Sequence, residues 1–178
     1  MIVKEGLKEH AEISFKLNSY DDIFSTFDSR EYDKKAFSED FLTELKRAAQ
    51  DKSSITKLNL SILAKKRNEH EREIKRRLNN HIIKHLDILE HEYKKVMNEG
   101  ILFIFAGMVL MFVATFILFY YSEKSLFLTF IVIILEPGGW FLFWEGLGLI
   151  IFKSKEIRNA DLKFYRKMSG AGINFLSY

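Results

Sequence analysis

The sequence predicts an α+β membrane protein: a two-helix transmembrane hairpin with a small cytoplasmic α/β domain, and a long amphipathic helix leading into the first span. Three observations carry this expectation. Two apolar runs, 101–121 and 126–152, are separated by only four residues. Strand-like alternation occurs twice before them and once after. Charge is also distributed unevenly along the 178 residues: 1–99 hold 20 Lys/Arg and 19 Asp/Glu, 100–152 hold one and three, and 153–178 hold six and two. The chain has no cysteine, which excludes a disulfide scaffold and a zinc–thiolate site. The near-neutral balance of the first segment argues against a nucleic-acid binder.

The elements follow in order. His10–Leu17 (HAEISFKL) alternates, with Ile13, Phe15 and Leu17 on one face of a strand. Asn18–Asp22 supplies turn and capping residues, and Ile23, Phe24 and Phe27 form an apolar cluster after it. Ser38-Glu-Asp opens a helix to about Gln50, with Phe37, Phe41, Leu42 and Leu45 as its apolar stripe. Ile55–Leu63 alternates again, giving a second strand with Leu58, Leu60 and Ile62 on one face. From about Lys66 the period becomes helical: Ile74, Leu78, Ile82, Leu86, Leu89, Tyr93 and Val96 step by three or four residues. That stripe is expected to cover the two-stranded sheet from Ile74 to Leu86. Its continuation from Leu89 to Val96 either covers the sheet too or forms a seam with other copies. Asn98 and Gly100 are the weak breakers between this helix and the first span.

Ile101–Tyr121 is 21 residues without a charge, and a bilayer core needs about 20. The second run, 126–152, has 27 residues and contains Glu136, Pro137, Gly138, Gly139 and Glu145. Pro137 removes a backbone donor and disfavours α geometry at Glu136, so a kinked or briefly unwound span is expected there. The turn carries Lys124 beside Glu123, whereas Lys94 and Lys95 precede the hairpin and six basic residues follow it. Positive charge stays on the cytoplasmic side, which places both termini there in a cell (inner) membrane. The expected organisation is therefore a cytoplasmic domain over 1–99 with its long helix at 66–99, a hairpin over 100–152, and a basic cytoplasmic tail over 153–178. The alternating end Ile173–Tyr178 is positioned to return a strand to the N-terminal sheet.

Few residues carry the signature of chemistry. Glu136 stands out, because an ionisable side chain near the bilayer midplane is a functional hypothesis by default. With Pro137, Gly138 and Gly139 it reads either as an ion or proton site in a pore formed by several copies, or as a hydrogen-bonded carboxyl that stabilises the kink or joins subunits. The second reading asks less. Trp140 and Trp144 read as interfacial anchors, with Glu145 beside them. His81 and His85, at i and i+4, form half of a metal site at most and read as a solvated polar face. The basic run 65–77 is interleaved with Glu69, Glu71 and Glu73 and reads as i, i+4 pairing on an exposed helix. Asp21, Asp22, Asp28, Asp33 and Asp40 read as turn and helix caps rather than metal ligands. No phosphate-binding loop, nucleophile elbow or H-E-x-x-H motif is present, so no enzyme, cofactor or metal is expected.

The segment Asp22-Ile-Phe-Ser-Thr-Phe-Asp28-Ser-Arg30, with Asp40-Phe41 downstream, resembles the opening motif of an uncharacterised family of small prokaryotic two-pass membrane proteins with an N-terminal cytoplasmic α/β domain. Gly139-Trp-Phe-Leu-Phe-Trp144-Glu145 resembles the patch in that family's second span. Ser29 and Glu145 stand where the family has prolines. The resemblance covers most of the chain and implies an architecture and no activity. Taken together, the sequence reads as a non-catalytic, homo-oligomeric integral membrane protein. It would act as a scaffold or sensor, with a cytoplasmic domain that meets a protein partner or ligand. The alternative is a homo-oligomeric ion channel or membrane-permeabilising effector gated by that domain, with Glu136 in the membrane path. The lipid bilayer is the one partner common to both.

Overall fold

The computed structural model describes residues 12–66, 70–121 and 125–178. His10 and Ala11 at the start of the first expected strand, residues 67–69 of the basic run, and residues 122–124 of the turn lie outside the described residues. The chain forms two compact units. One comprises residues up to Ile88 together with Asp161–Tyr178; the other is Leu89–Ala160. The tail thus belongs with the N-terminal residues.

In the first unit β1 (Glu12–Leu17), β2 (Lys57–Ile62) and β3 (Gly172–Ser177) form one parallel sheet in the order β1-β2-β3. The tail returns a third strand to the two that precede the apolar helices. The registers Ile13↔Leu58↔Ile173 and Phe15↔Leu60↔Phe175 line up the apolar face. Leu58, Leu60 and Ile62 of the central strand have no exposed surface. The alternate residues make the opposite face polar. There Asn174 donates to Asn59 (3.4 Å), and Asn59 donates to the Glu12 carboxylate (3.1 Å). These bonds satisfy the side chain of Asn59, which is buried.

Helix α1 (Glu39–Gln50) connects β1 to β2. Ser38 caps it by accepting from the Phe41 amide, and Phe41, Leu45 and Ala49 are buried. Its last turn is closed from the far end of the chain. Lys167, on α5 (Lys163–Met168), donates to the carbonyls of Ala49 (3.1 Å) and Lys52 (2.6 Å). A cation there matches the negative end of the helix dipole. The long helix α2 (Glu71–Tyr120) buries Ile74, Leu78 and Ile82 in this unit. Asn98 and Gly100 do not interrupt it.

The second unit holds the remainder of α2 and α3 (Leu126–Gly148). Glu71–Tyr120 and Leu126–Ile157 are long and apolar enough to cross a membrane; their most apolar stretches have mean hydropathies of 2.8 and 2.0. Only 11% of each stretch is buried, whereas the core helix of a soluble protein would be mostly buried. This suggests a membrane location. The expected unwinding at Pro137 is not observed: α3 continues through it to Gly148. The departures from α geometry come later, as wider π-helical turns at Leu149–Lys153 and Arg158–Leu162, on either side of α4 (Ser154–Ile157). Between them the Ser154 hydroxyl donates to the Ile150 carbonyl.

The glycines of the hairpin explain its packing. A Cβ placed on Gly107 would lie 2.6 Å from the Gly139 carbonyl oxygen, and one on Gly146 would lie 2.6 Å from the Gly100 carbonyl oxygen. Buried Ala114 and Val132 continue the same seven-residue steps. In each helix the glycines let the other backbone approach to contact. Gly139 is therefore a packing residue and not a hinge. Gly138 has open space where its Cβ would be.

Candidate functional site

Each unit offers one group of side chains with functional character. In the membrane-type unit, Glu136, Trp140 and Trp144 are all exposed, as is Ile133. At about 100° per residue, these four fall on one flank of α3. The two indoles stack with centroids 6.3 Å apart. Gly138 and exposed Glu145 fall on the other flank. The structure thus gathers Glu136 with the two tryptophans, points Gly139 at the other helix, and leaves Pro137 within continuous helix.

In the first unit, residues 18–37 are organised by the acidic side chains. The Asp22 carboxylate accepts from the amides of Asn18 (2.7 Å) and Ser19 (3.3 Å), and Ser19 returns a cap to Asp21. Asp28 accepts from the Arg30 guanidinium (2.7 and 2.9 Å) and from the Ala36 amide (2.7 Å). Arg30 and Ala36 hold this carboxyl far below the usual carboxylate range. Both ends of the Asp22–Asp28 motif are thus committed to shaping the chain. Arg77 of α2 clasps the end of the same segment. Its guanidinium donates to the carbonyls of Tyr32 and Lys35 and lies beside the stacked rings of Phe24 and Phe37, 5.5 and 5.3 Å from their centroids.

Beside this clasp lies an open hollow of about 610 Å³ lined by Phe37, Leu42, Arg77, His81, His85 and Tyr165, among others. His81 meets Phe37 edge-on at 5.0 Å and lies 4.3 Å from His85, which stacks on Tyr165 at 5.3 Å. The two histidines are thus not a solvated polar face but part of an aromatic cluster. Sequence reasoning missed this because Phe37 and Tyr165 arrive from distant positions in the chain. Burial first, then the neighbouring positive charges of His85, Lys84, Arg77 and Lys46, push His81 down to about 4. Its Nε2 is buried with no protein partner. The hollow therefore offers flat aromatic walls and one uncommitted imidazole nitrogen. A second, more polar hollow of about 560 Å³ includes Asp21, Tyr32, Lys35 and His70 in its lining, with Lys35 paired to Asp21 at 2.9 Å. Among the described residues, no three His, Asp or Glu side chains gather as a metal site.

The depressed His81 value fixes a pH dependence. The unfolded chain takes up this proton near pH 6.5, and the folded one only near 4. The contribution to stability is complete above about 6.5 and is lost as pH falls from there toward 4. Thermal unfolding at pH 7.5, 6, 5 and 4 is expected to show this decline, and His81→Phe to flatten it. An unchanged slope in the variant would assign the acid sensitivity elsewhere.

Comparison of the chain with protein families, with curated proteins and with solved structures gives no match. The functional reading rests on the geometry described above.

Proposed function

We propose that this chain is a two-pass integral membrane protein that works as a homo-oligomeric scaffold or sensor, presenting its α/β unit to a cytoplasmic partner or ligand. One observation supports this above the others. Strands β1 and β2 precede the two long apolar helices and β3 follows them, yet all three share one sheet. If both helices span, the sheet is assembled from chain on either side of the hairpin, so both flanks lie on the same face of the bilayer. The basic residues flanking the runs favour the cytoplasm for that face. A membrane hairpin whose exit is stitched into a folded unit is suited to hold that unit at the surface and to couple the two. The hollow beside His81, His85 and Tyr165 is the place where this unit would receive a ligand. In this reading the hollow serves binding rather than turnover.

The channel reading draws on one observation, the exposure of Glu136 on the hairpin surface. Native mass spectrometry of the full chain in nanodiscs separates the readings. The scaffold reading expects a small closed oligomer. A ring of about four or more copies, with ion flux that Glu136→Gln alters, would favour the channel. A monomer would overturn the oligomeric reading altogether.

A further inference from the structure

We infer that Glu136, together with the carbonyl group that Pro137 orphans, forms the contact through which two copies of this chain pair across a two-fold axis in the membrane. The inference rests on the two-pass reading above. It starts from a carboxyl group on an apolar helix. Glu136 is exposed on α3 and holds no hydrogen-bond or ion-pair partner among the described residues. Neither apolar run, 101–121 or 126–152, contains a Lys or Arg, so the chain has no cation at this depth to pair with it. A carboxyl group facing hydrocarbon without a partner is costly.

The matching group lies one turn away. Pro137 has no amide hydrogen, so the Ile133 carbonyl lacks its usual helical donor at position i+4. Ile133 and Glu136 occupy the same exposed flank. Side chains on a helix lean toward its N-terminus, which brings the Glu136 carboxyl to the level of the Ile133 carbonyl. A carboxylic acid carries one O–H donor. The flank thus holds a donor and an acceptor at the same height, and such a surface is complementary to itself. In a two-fold pair, the acid O–H of each copy donates to the Ile133 carbonyl of the other. Two such bonds, one from each copy, satisfy both polar groups by one operation that closes. Trp140 and Trp144 extend the same flank and offer apolar surface to the partner on the turns that follow. The small residues that commonly join membrane helices, Gly100, Gly107, Gly139 and Gly146, are already consumed inside the hairpin.

The absence of cysteine makes the test direct. Single reporters are introduced into the full chain in lipid vesicles and oxidised. Ile133→Cys and Trp140→Cys are expected to give a disulfide-linked dimer, whereas Phe127→Cys, on the other flank, is expected to give little. Glu136→Leu on the Trp140→Cys background should weaken dimerisation roughly ten-fold, a loss that two interhelical hydrogen bonds in lipid account for. Glu136→Gln, which keeps a donor and an acceptor, should dimerise within about two-fold of the parent. Crosslinking that is equal from Phe127→Cys, or undiminished by Glu136→Leu, would overturn the assignment while leaving an oligomer in place. No crosslinking at any position, with a monomeric mass, would instead remove the oligomeric reading itself.

Discussion

Gly107→Ala should loosen the hairpin, whereas the same change at Gly138 should not. A Cβ at position 107 meets the Gly139 carbonyl oxygen at 2.6 Å and the Phe143 amide nitrogen at 2.8 Å. Both are backbone atoms, so no side chain can rotate away and the helices themselves must move apart. Overpacking of this kind costs about 1–3 kcal/mol, and here it also loosens the contact of Gly100 with Gly146. At Gly138 the added methyl group meets nothing within 4 Å, and replacing glycine with alanine inside a helix gains up to about 1 kcal/mol. Thermal unfolding of both variants in the same detergent measures the difference. Two variants that shift together would show that the glycine seam does not hold the helices.

The second large effect is expected at the C-terminus. Phe175 on β3 is 7% exposed, sits opposite Leu60, and meets Tyr20 edge-on at 5.7 Å. Phe175→Ala should cost about 3 kcal/mol by the lost transfer of the ring and the cavity left behind. A chain ending at Gly170 loses the whole strand and uncovers one side of β2, whose Leu58, Leu60 and Ile62 are fully buried. A two-stranded sheet of this size is marginal, so the truncated protein should lose the cooperative unfolding of the first unit. Limited proteolysis of residues 39–62 reads this directly. Resistance equal to that of the full chain would show that β3 is dispensable to the sheet.

Much of the first unit was legible because its signals are local. The alternation of Ile13-Phe15-Leu17 and Leu58-Leu60-Ile62 survives in the registers, and the Ser38 cap stands where the sequence puts it. The three-stranded sheet was harder to see. Ile173–Tyr178 is too short to fix its own partner, and its place depends on contacts with β2, more than 100 residues earlier. The glycine seam was hidden for a related reason. Gly100 and Gly107 reveal their seven-residue step only when set against Gly139 and Gly146 in the opposite direction, and glycine is common enough in membrane spans that each alone carries little. Pro137 misled in the other direction. It removes one amide, but one lost bond within a 23-residue helix does not break it. His81 and His85 looked solvated because their ring neighbours, Phe37 and Tyr165, lie elsewhere in the sequence.

Two spans are expected to separate a turn on one side of a bilayer from a sheet built by both flanks on the other. Single cysteines at Ser53, Ser125 and Ser177, all at exposed positions, are labelled with a membrane-impermeant maleimide in right-side-out and inverted vesicles. Ser53→Cys and Ser177→Cys are expected to react together from the cytoplasmic side, and Ser125→Cys from the opposite side alone. Labelling of all three from one side, or of Ser53→Cys and Ser177→Cys from opposite sides, would contradict this arrangement.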